Sequence, residues 1–179
     1  MMKTSKVGCV IWLTGLSGAG KSSIALELEQ AILRQSRAAF ILDGDKVRRG
    51  LCSDLKFSPE DRKENVRRLG EVAKLFADAG VVCIVALISP YRHDRRLARR
   101  LVKAGQFIEV YVNAPLAVCE QRDPKGLYAR ARAGEIKDFT GVSAPYEPPE
   151  KPELELRTDQ LTIAESVEKI LQYLAAARF

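Results

Sequence analysis

The sequence predicts a three-layer α/β/α fold built on a mostly parallel five-stranded sheet. Short apolar, β-branched runs alternate with longer segments of helical period, the pattern of a sheet covered by helices. The runs are apolar almost throughout instead of alternating, as strands buried on both faces are. At 179 residues the chain fits one compact domain, residues 1–179, whose core can bury roughly two thirds of the unfolded surface.

Taken in order, strands are expected at 7–14, 38–42, 81–88 and 107–112, with a weaker fifth near 154–158. The first helix spans about 22–37, with Ile24, Leu28, Ala31 and Ile32 on one stripe. Ser58 as N-cap, Pro59 at the first helical position and Glu60 and Asp61 in the first turn open the next. It runs to Ala79 and stops at Gly80. A third helix covers about 94–104 and ends at Gly105. The last opens on Thr162 and Glu165 in capping-box spacing, and Val167, Ile170, Leu171 and Leu174 form its inner stripe. The Pro-rich stretch 144–152 reads as an ordered surface connection, because only one helix follows it.

Composition narrows the function without choosing it. Lys and Arg number 29 against 23 for Asp and Glu, a net +6 that suits nucleic acid, an anionic membrane surface or polyanionic small molecules. Cys9, Cys52, Cys83 and Cys119 form no CxxC pair, and His93, the single histidine, offers no zinc cluster. Cys9 and Cys83 sit in apolar runs and read as small buried hydrophobes, which fits a reduced cytoplasmic compartment. Lys3 and Lys6 before the first apolar run resemble a signal peptide only superficially, since the run is short and no small-residue cleavage site follows. The run at 81–88 is far below the ~20 residues of a membrane-spanning helix. Neither export nor a membrane is expected.

Chemistry enters with Gly15-Leu16-Ser17-Gly18-Ala19-Gly20-Lys21-Ser22, a full match to the phosphate-binding loop G-x-x-x-x-G-K-[ST] between a strand and a helix. Its glycines let successive backbone N–H groups point at phosphate oxygens, and the helix adds its N-terminal dipole. Lys21 is placed to reach the β- and γ-phosphates and Ser22 to ligate Mg²⁺. No N-K-x-D guanine motif is present and the chain is short for a motor, which leaves a small-molecule kinase.

A second strand ends in Asp43-Gly44-Asp45, where open α/β sheets place their ligands. Such carboxylates can hold Mg²⁺ or take a proton from an attacking hydroxyl, or they can simply make a turn. Arg48, Arg49, Arg62, Arg67 and Arg68 cluster nearby, with Arg62 and Asn65 on one helix face. They suit a phosphate, a sulfate or a base edge. Arg92, Arg95, Arg96, Arg99, Arg100 and Lys103 cover most of another helix, a pattern read as a solvated face. Ile88-Ser89-Pro90-Tyr91-Arg92 closes the third strand, where Ser89 can bind substrate, accept a phosphoryl group or end the strand. Residues 123–145 are polar, basic and Gly-punctuated, as a lid over ATP should be. Phe57 and Phe139, aromatic in polar surroundings, suit stacking on a purine or a satellite core equally.

Taken together, the motifs resemble the adenylylsulfate kinases, P-loop kinases that make 3′-phosphoadenosine 5′-phosphosulfate. The resemblance covers about 10–174 and rests on GLSGAGKSS (15–23), LDGDKVR (42–48), FSPEDRKENVRR (57–68), ISPYR (88–92), RDPKGLY (122–128) and DFTG (138–141). It implies that Gly15 to Ser23 and Arg122 bind ATP, and that Ser22 and Asp45 hold Mg²⁺. It implies that Asp45 assists the acceptor 3′-hydroxyl of adenosine 5′-phosphosulfate (APS), with Lys21 and Ser89 as its catalytic companions. Arg48, Arg62 and Asn65 are then expected on the acceptor's phosphosulfate and adenine, with the adenine between Phe57 and Phe139. Asp43, Ile88, Ser89, Lys125, Gly126 and Leu127 complete that site. Ser89 is often described in the family as a phosphorylated intermediate, but direct in-line transfer needs no covalent stage, so a positioning hydroxyl is expected. Two positions depart from the pattern: Lys46 stands where Asn is usual, and Asn113 where Asp is frequent. The family's habit implies a homodimer.

Two other readings compete. One is another small-metabolite P-loop kinase, separable by its acceptor. The other is a non-catalytic nucleotide- or nucleic-acid-binding module, which a steep salt dependence of DNA or RNA affinity would support. RNA-binding aromatic motifs are absent, so no nucleic-acid partner is expected.

Overall fold

A computed structural model of the chain describes residues 7–179. Lys3 and Lys6, on which the signal-like reading turned, lie outside the described residues. In chain order the elements are β1 (Cys9–Thr14), α1 (Lys21–Arg34), β2 (Ala39–Asp43), α2 (Gly44–Val47), α3 (Pro59–Asp78), β3 (Val82–Ala86) and α4 (Arg92–Arg100). Then follow β4 (Phe107–Asn113), α5 (Leu116–Arg122), α6 (Leu127–Arg132), β5 (Leu154–Arg157) and α7 (Ile163–Ala176).

The five strands form one parallel sheet in the order β2-β3-β1-β4-β5. With β1 central, Trp12 pairs with Val85 on one side and Glu109 on the other. Because side chains alternate across a strand, β1 feeds two cores. Cys9, Ile11 and Leu13 pack with α1 and α7 around Leu28, Ile32 and Ile170. Val10 and Trp12 pack with α3 around Val66, Leu69 and Ala73, and Trp12 stacks on Phe107 at 5.5 Å. Burying side chains of this size at ~25 cal/mol per Å² is the main stabilising term of the fold.

Caps fall where the sequence places them. Ser58 Oγ accepts from Asp61 N at 3.1 Å, and Thr162 and Glu165 close a complete capping box. Corrections concern ends and small pieces. The strand read from residue 81 to 88 stops at Ala86, and the helix read over 94–104 begins at Arg92 and ends at Arg100. The first helix ends at Arg34, three residues early. Asn113 closes β4, and its Nδ2 donates to Glu155 Oε1 at 2.7 Å, an amide donation that an Asp at this position does not make. Among the described residues no helix is long and apolar enough to cross a membrane.

Every strand delivers its carboxyl end to one edge of the sheet, so Thr14, Asp43, Ala86 and Asn113 lie along the same edge. The loop after β1, the short α2 after β2 and the 87–90 segment after β3 are therefore neighbours by topology.

Candidate active site

At that edge lies a cavity of about 1120 Å³. One end is the loop after β1. Gly15 has φ 153°, and a Cβ there would stand 2.3 Å from Val112 O of β4. Gly18 and Gly20 take left-handed φ values of 75° and 103°. Lys21 begins α1 and folds back, its Nζ donating to Gly15 O at 2.9 Å and Leu16 O at 2.6 Å. Burial pulls its pKa down to about 8, and Lys125 pushes the same way against Cys119, Asp43 and Asp45. A cation that costly to bury is held ready for an anion.

Asp43 ends β2 and divides its carboxylate. Its Oδ1 accepts from Asp45 N at 3.0 Å and Lys46 N at 3.4 Å, capping α2. Its Oδ2 accepts from Ser22 Oγ at 2.7 Å. The resemblance implies Asp43 on the acceptor and Ser22 and Asp45 as Mg²⁺ ligands; in this structure Ser22 Oγ donates to Asp43. Asp45, on the first turn of α2, meets the Lys125 ammonium instead. Lys125 lies in the loop between α5 and α6, within the expected lid. Lys46 is exposed and reaches the site only through its backbone.

Toward the other end, α3 presents Arg62 and Asn65. Arg62 donates to Phe57 O at 2.9 Å, Thr140 Oγ1 at 3.0 Å and Asp138 O at 2.7 Å, so it ties α3 to the end of the lid. Arg48 donates to Leu55 O and Lys56 O, and its guanidinium lies 4.5 Å from the centre of the Phe57 ring. Partial burial lowers the pKa of both arginines. Phe57 is 57% exposed, an aromatic face open to the cavity. Phe139 is buried edge-on against Tyr128 at 5.0 Å, so it is both core and cavity wall. Tyr128 Oη in turn donates to Ser17 O at 2.9 Å, which fastens α6 to the phosphate-binding loop. Asn65 Oδ1 is buried without a hydrogen-bond partner among the described residues.

Ser89 is buried and takes φ 40°, rare for a residue with a side chain. Its Oγ accepts from Trp12 Nε1 at 3.1 Å and donates to Thr14 Oγ1 at 3.0 Å. Thr14 Oγ1 also lies 3.0 Å from Tyr146 Oη. The hydroxyl is thus committed to a buried network, which suits a structural post better than a phosphoryl acceptor.

The cavity wall includes residues 17–23, Asp43, Asp45, Arg48, Phe57, Arg62, Asn65, Ile88, Ser89, Arg122, Lys125, Leu127 and Phe139. Gly15, Leu16 and Gly126 shape neighbouring backbone and are not on that wall. Sequence reasoning missed Thr158, Leu161, Ile163 and Ser166, which line the end beside Arg122. Arg122 donates to Thr158 O at 2.6 Å and Thr158 Oγ1 to Ala19 O at 2.8 Å. Thr162 signalled only a helix cap, and nothing local marks its neighbours as cavity wall. The reading of this basic helix as a solvated face holds for Arg96, Arg100 and Lys103, which are exposed, and fails for Arg95. Arg95 is 2% exposed and paired with Glu109, and Arg99 is paired with Glu153.

Comparison with known proteins gives this geometry a family. A family model described as adenylylsulphate kinase matches residues 7–157. The adenylyl-sulfate kinase of Marinobacter nauticus is 58% identical over 166 residues, 93% of this chain and 83% of the relative. That of Saccharomyces cerevisiae is 58% identical over 173 residues, 96% of this chain and 86% of the relative. The Mycobacterium tuberculosis APS kinase solved in complex with AMPPNP and APS superposes with TM-score 0.91 at 46% identity, covering 95% of this chain and 99% of the other. A Sinorhizobium meliloti gluconokinase, 18% identical with TM-score 0.64 over 97% of this chain and 95% of its own, shares the fold. On the motifs, the cavity and these likenesses, the chain belongs to the adenylylsulphate kinase family.

Proposed function

We propose a division of labour within this cavity for the family's reaction, the transfer of the ATP γ-phosphoryl to the 3′-hydroxyl of adenosine 5′-phosphosulfate. The products are 3′-phosphoadenosine 5′-phosphosulfate and ADP, and the chain is an ATP-dependent phosphotransferase acting on an alcohol group in sulfate activation. The carrying observation is the size and continuity of the cavity. A single small ligand fills roughly 300–1,000 Å³, and this one, at about 1120 Å³, runs from the phosphate-binding loop to Phe57. That exceeds the room one small ligand takes, as a site for two nucleotides must.

ATP is assigned to residues 15–23 with Arg122, its base toward Thr158 and Leu161. Lys21 trades its bonds to Gly15 O and Leu16 O for phosphate oxygens, which stabilise the charge that burial disfavours. Ser22 and Asp43 offer a hydroxyl and a carboxylate oxygen, the hard donors that suit Mg²⁺, with Asp45 one helical step away. Held by these oxygens, Mg²⁺ would supply neutralisation of phosphate charge.

The acceptor is assigned to the Phe57 end. Its adenine stacks on Phe57 with Phe139 opposite, and the unpartnered Asn65 Oδ1 takes a base N–H. Leaving that oxygen unmatched costs roughly 1–3 kcal/mol, which a purine amino group offsets. Arg48 and Arg62 take the phosphosulfate. Asp45 orients the 3′-hydroxyl and accepts its proton, and Lys125 sits against Asp45 at the edge of the lid. Ile88, Ser89 and Leu127 close the wall, and residues 123–145 serve as the lid. A homodimer and a cytoplasmic location belong to the same proposal. A solved Thiobacillus denitrificans relative described as hexameric supports self-association, and four buried free thiols support a reducing compartment.

The test is ADP release with Mg·ATP, with and without APS, for the native enzyme and for Asn65→Leu. The native rate should depend on APS and yield the 3′-phosphorylated product. Asn65→Leu should raise the KM for APS by about tenfold and leave that for ATP within about twofold, since one buried hydrogen bond is removed. An unchanged APS KM would move the acceptor away from Asn65.

A further inference from the structure

We propose that Arg95 is a positioning residue for the acceptor, acting by locking Ser89 and its neighbours in the conformation that forms the cavity wall. The proposal rests on the placement of the acceptor along Ile88 and Ser89 given above. Nothing in the local sequence singles Arg95 out from the other basic residues of α4.

Its guanidinium is spent entirely on other segments. Arg95 Nε donates to Glu109 Oε1 of β4 at 2.7 Å, Nη1 to Ser89 O at 2.6 Å, and Nη2 to Glu147 O at 2.8 Å. The side chain is 2% exposed, and its Cζ lies 5.8 Å from the Tyr146 ring centre. Glu109 is itself buried, receives a second guanidinium from Arg99 at 3.3 Å, and its backbone N–H donates to Glu153. Two arginines and two glutamates therefore balance, and the charge of Arg95 is compensated without solvent.

What this fork grips is the strained part of the wall. Ser89 has φ 40°, a conformation that persists only where surroundings over-determine it. Its Oγ is fixed from β1 by Trp12 and Thr14, and its carbonyl is fixed from α4 by Arg95. The 146–148 segment is stitched to the same place. Glu147 N donates to Pro90 O at 2.8 Å, and Arg92 N donates to Glu147 Oε2 at 2.8 Å. Among the described residues, Arg95 alone donates to both the Ser89 and Glu147 carbonyls, so it sets the height of the 88–90 segment above the sheet. A lysine carries the charge without the planar fork, and one ammonium cannot hold all three acceptors in that geometry.

The experiment compares Arg95→Lys and Arg95→Gln with the native enzyme by steady-state kinetics, varying APS and ATP separately. Arg95→Lys should raise the KM for APS by about tenfold and leave the KM for ATP within about twofold, because the hydrogen bonds of Arg95 go to Glu109, Ser89 and Glu147 and not to residues 15–23. A loosened fold without a positioning role would reduce active enzyme, lowering kcat with both KM values unmoved. That pattern, equal changes in both KM values, or an APS KM within about twofold of native overturns the proposal. Failure of both variants to accumulate as folded protein also overturns it, since Arg95 would then serve the fold alone. Asn65→Leu in the same series separates the two claims. If it raises the APS KM and Arg95→Lys does not, the positioning role fails and the acceptor placement stands. If neither moves it, the placement itself fails.

Discussion

Replacing Ser89 by alanine distinguishes a post from a phosphoryl carrier. The change deletes one oxygen, which accepts from Trp12 Nε1 and donates to Thr14 Oγ1. Thr14 Oγ1 keeps Ile88 O at 2.8 Å and Tyr146 Oη at 3.0 Å, so it stays satisfied. The Trp12 indole N–H does not, because Trp12 is wholly buried. A stranded buried donor costs about 1–3 kcal/mol. For a chain of this length each kcal/mol lowers Tm by roughly 2–4 °C, so a loss of roughly 2–12 °C is expected. Turnover should fall by less than about tenfold, since direct transfer between two bound nucleotides never loads the hydroxyl. The assay pairs a thermal melt with APS-dependent ADP release below the new transition, and with the intact mass of native enzyme after ATP alone. A kcat reduced by about 10³ or more with an unchanged melt would refute the reasoning, as would a chain one phosphate heavier after ATP.

Lys21 and the glycines give two further expectations. The folded pKa of Lys21, about 8, lies below its ordinary 10.5, so its burial opposes folding most below pH 8 and fades as pH rises toward 10.5. Phosphate restores its charge, so nucleotide binding near pH 9 should take up close to one proton. Calorimetry in buffers of different ionisation enthalpy measures this, and zero uptake would mean that Lys21 stays charged without a ligand. Gly15→Ala should cost several times more stability in a denaturant melt than Gly50→Ala. A Cβ at Gly15 would strike Val112 O, whereas one at Gly50 meets nothing within 4 Å, and equal midpoints would contradict that packing.

Much of this was legible in the sequence because the signals are local. The apolar runs at β1 and β3, the Ser58 and Thr162 caps and the glycine loop each state their structure within a few residues. Helices α2, α5 and α6 are too short for a period to show, and α2 exists because Asp43 caps it. Arg95 was read as solvated because burial of an arginine depends on Glu109, Ser89 and Glu147, 14, 6 and 52 residues away. Thr158 and Leu161 were missed for the same reason, since they reach the cavity through the return of the chain beside β4. In the cavity, the bond from Ser22 Oγ to Asp43 joins residues 21 positions apart, a pairing that no local pattern states.

The placement of the thiols gives the protein a set of internal reporters. Cys9 and Cys119 belong to the core under α1 and α7, while Cys83 and Cys52 belong to the core under α3. All four are buried, and desolvation pushes the thiols of Cys9 and Cys83 up to about 12. Thiolate, the form that alkylating reagents attack, is then scarce on both faces of the sheet until a layer opens. Each thiol's labelling rate therefore clocks the opening of its own layer. Matching rates would mean that the sheet sheds both coats in one cooperative event, and unequal rates that one coat leaves first.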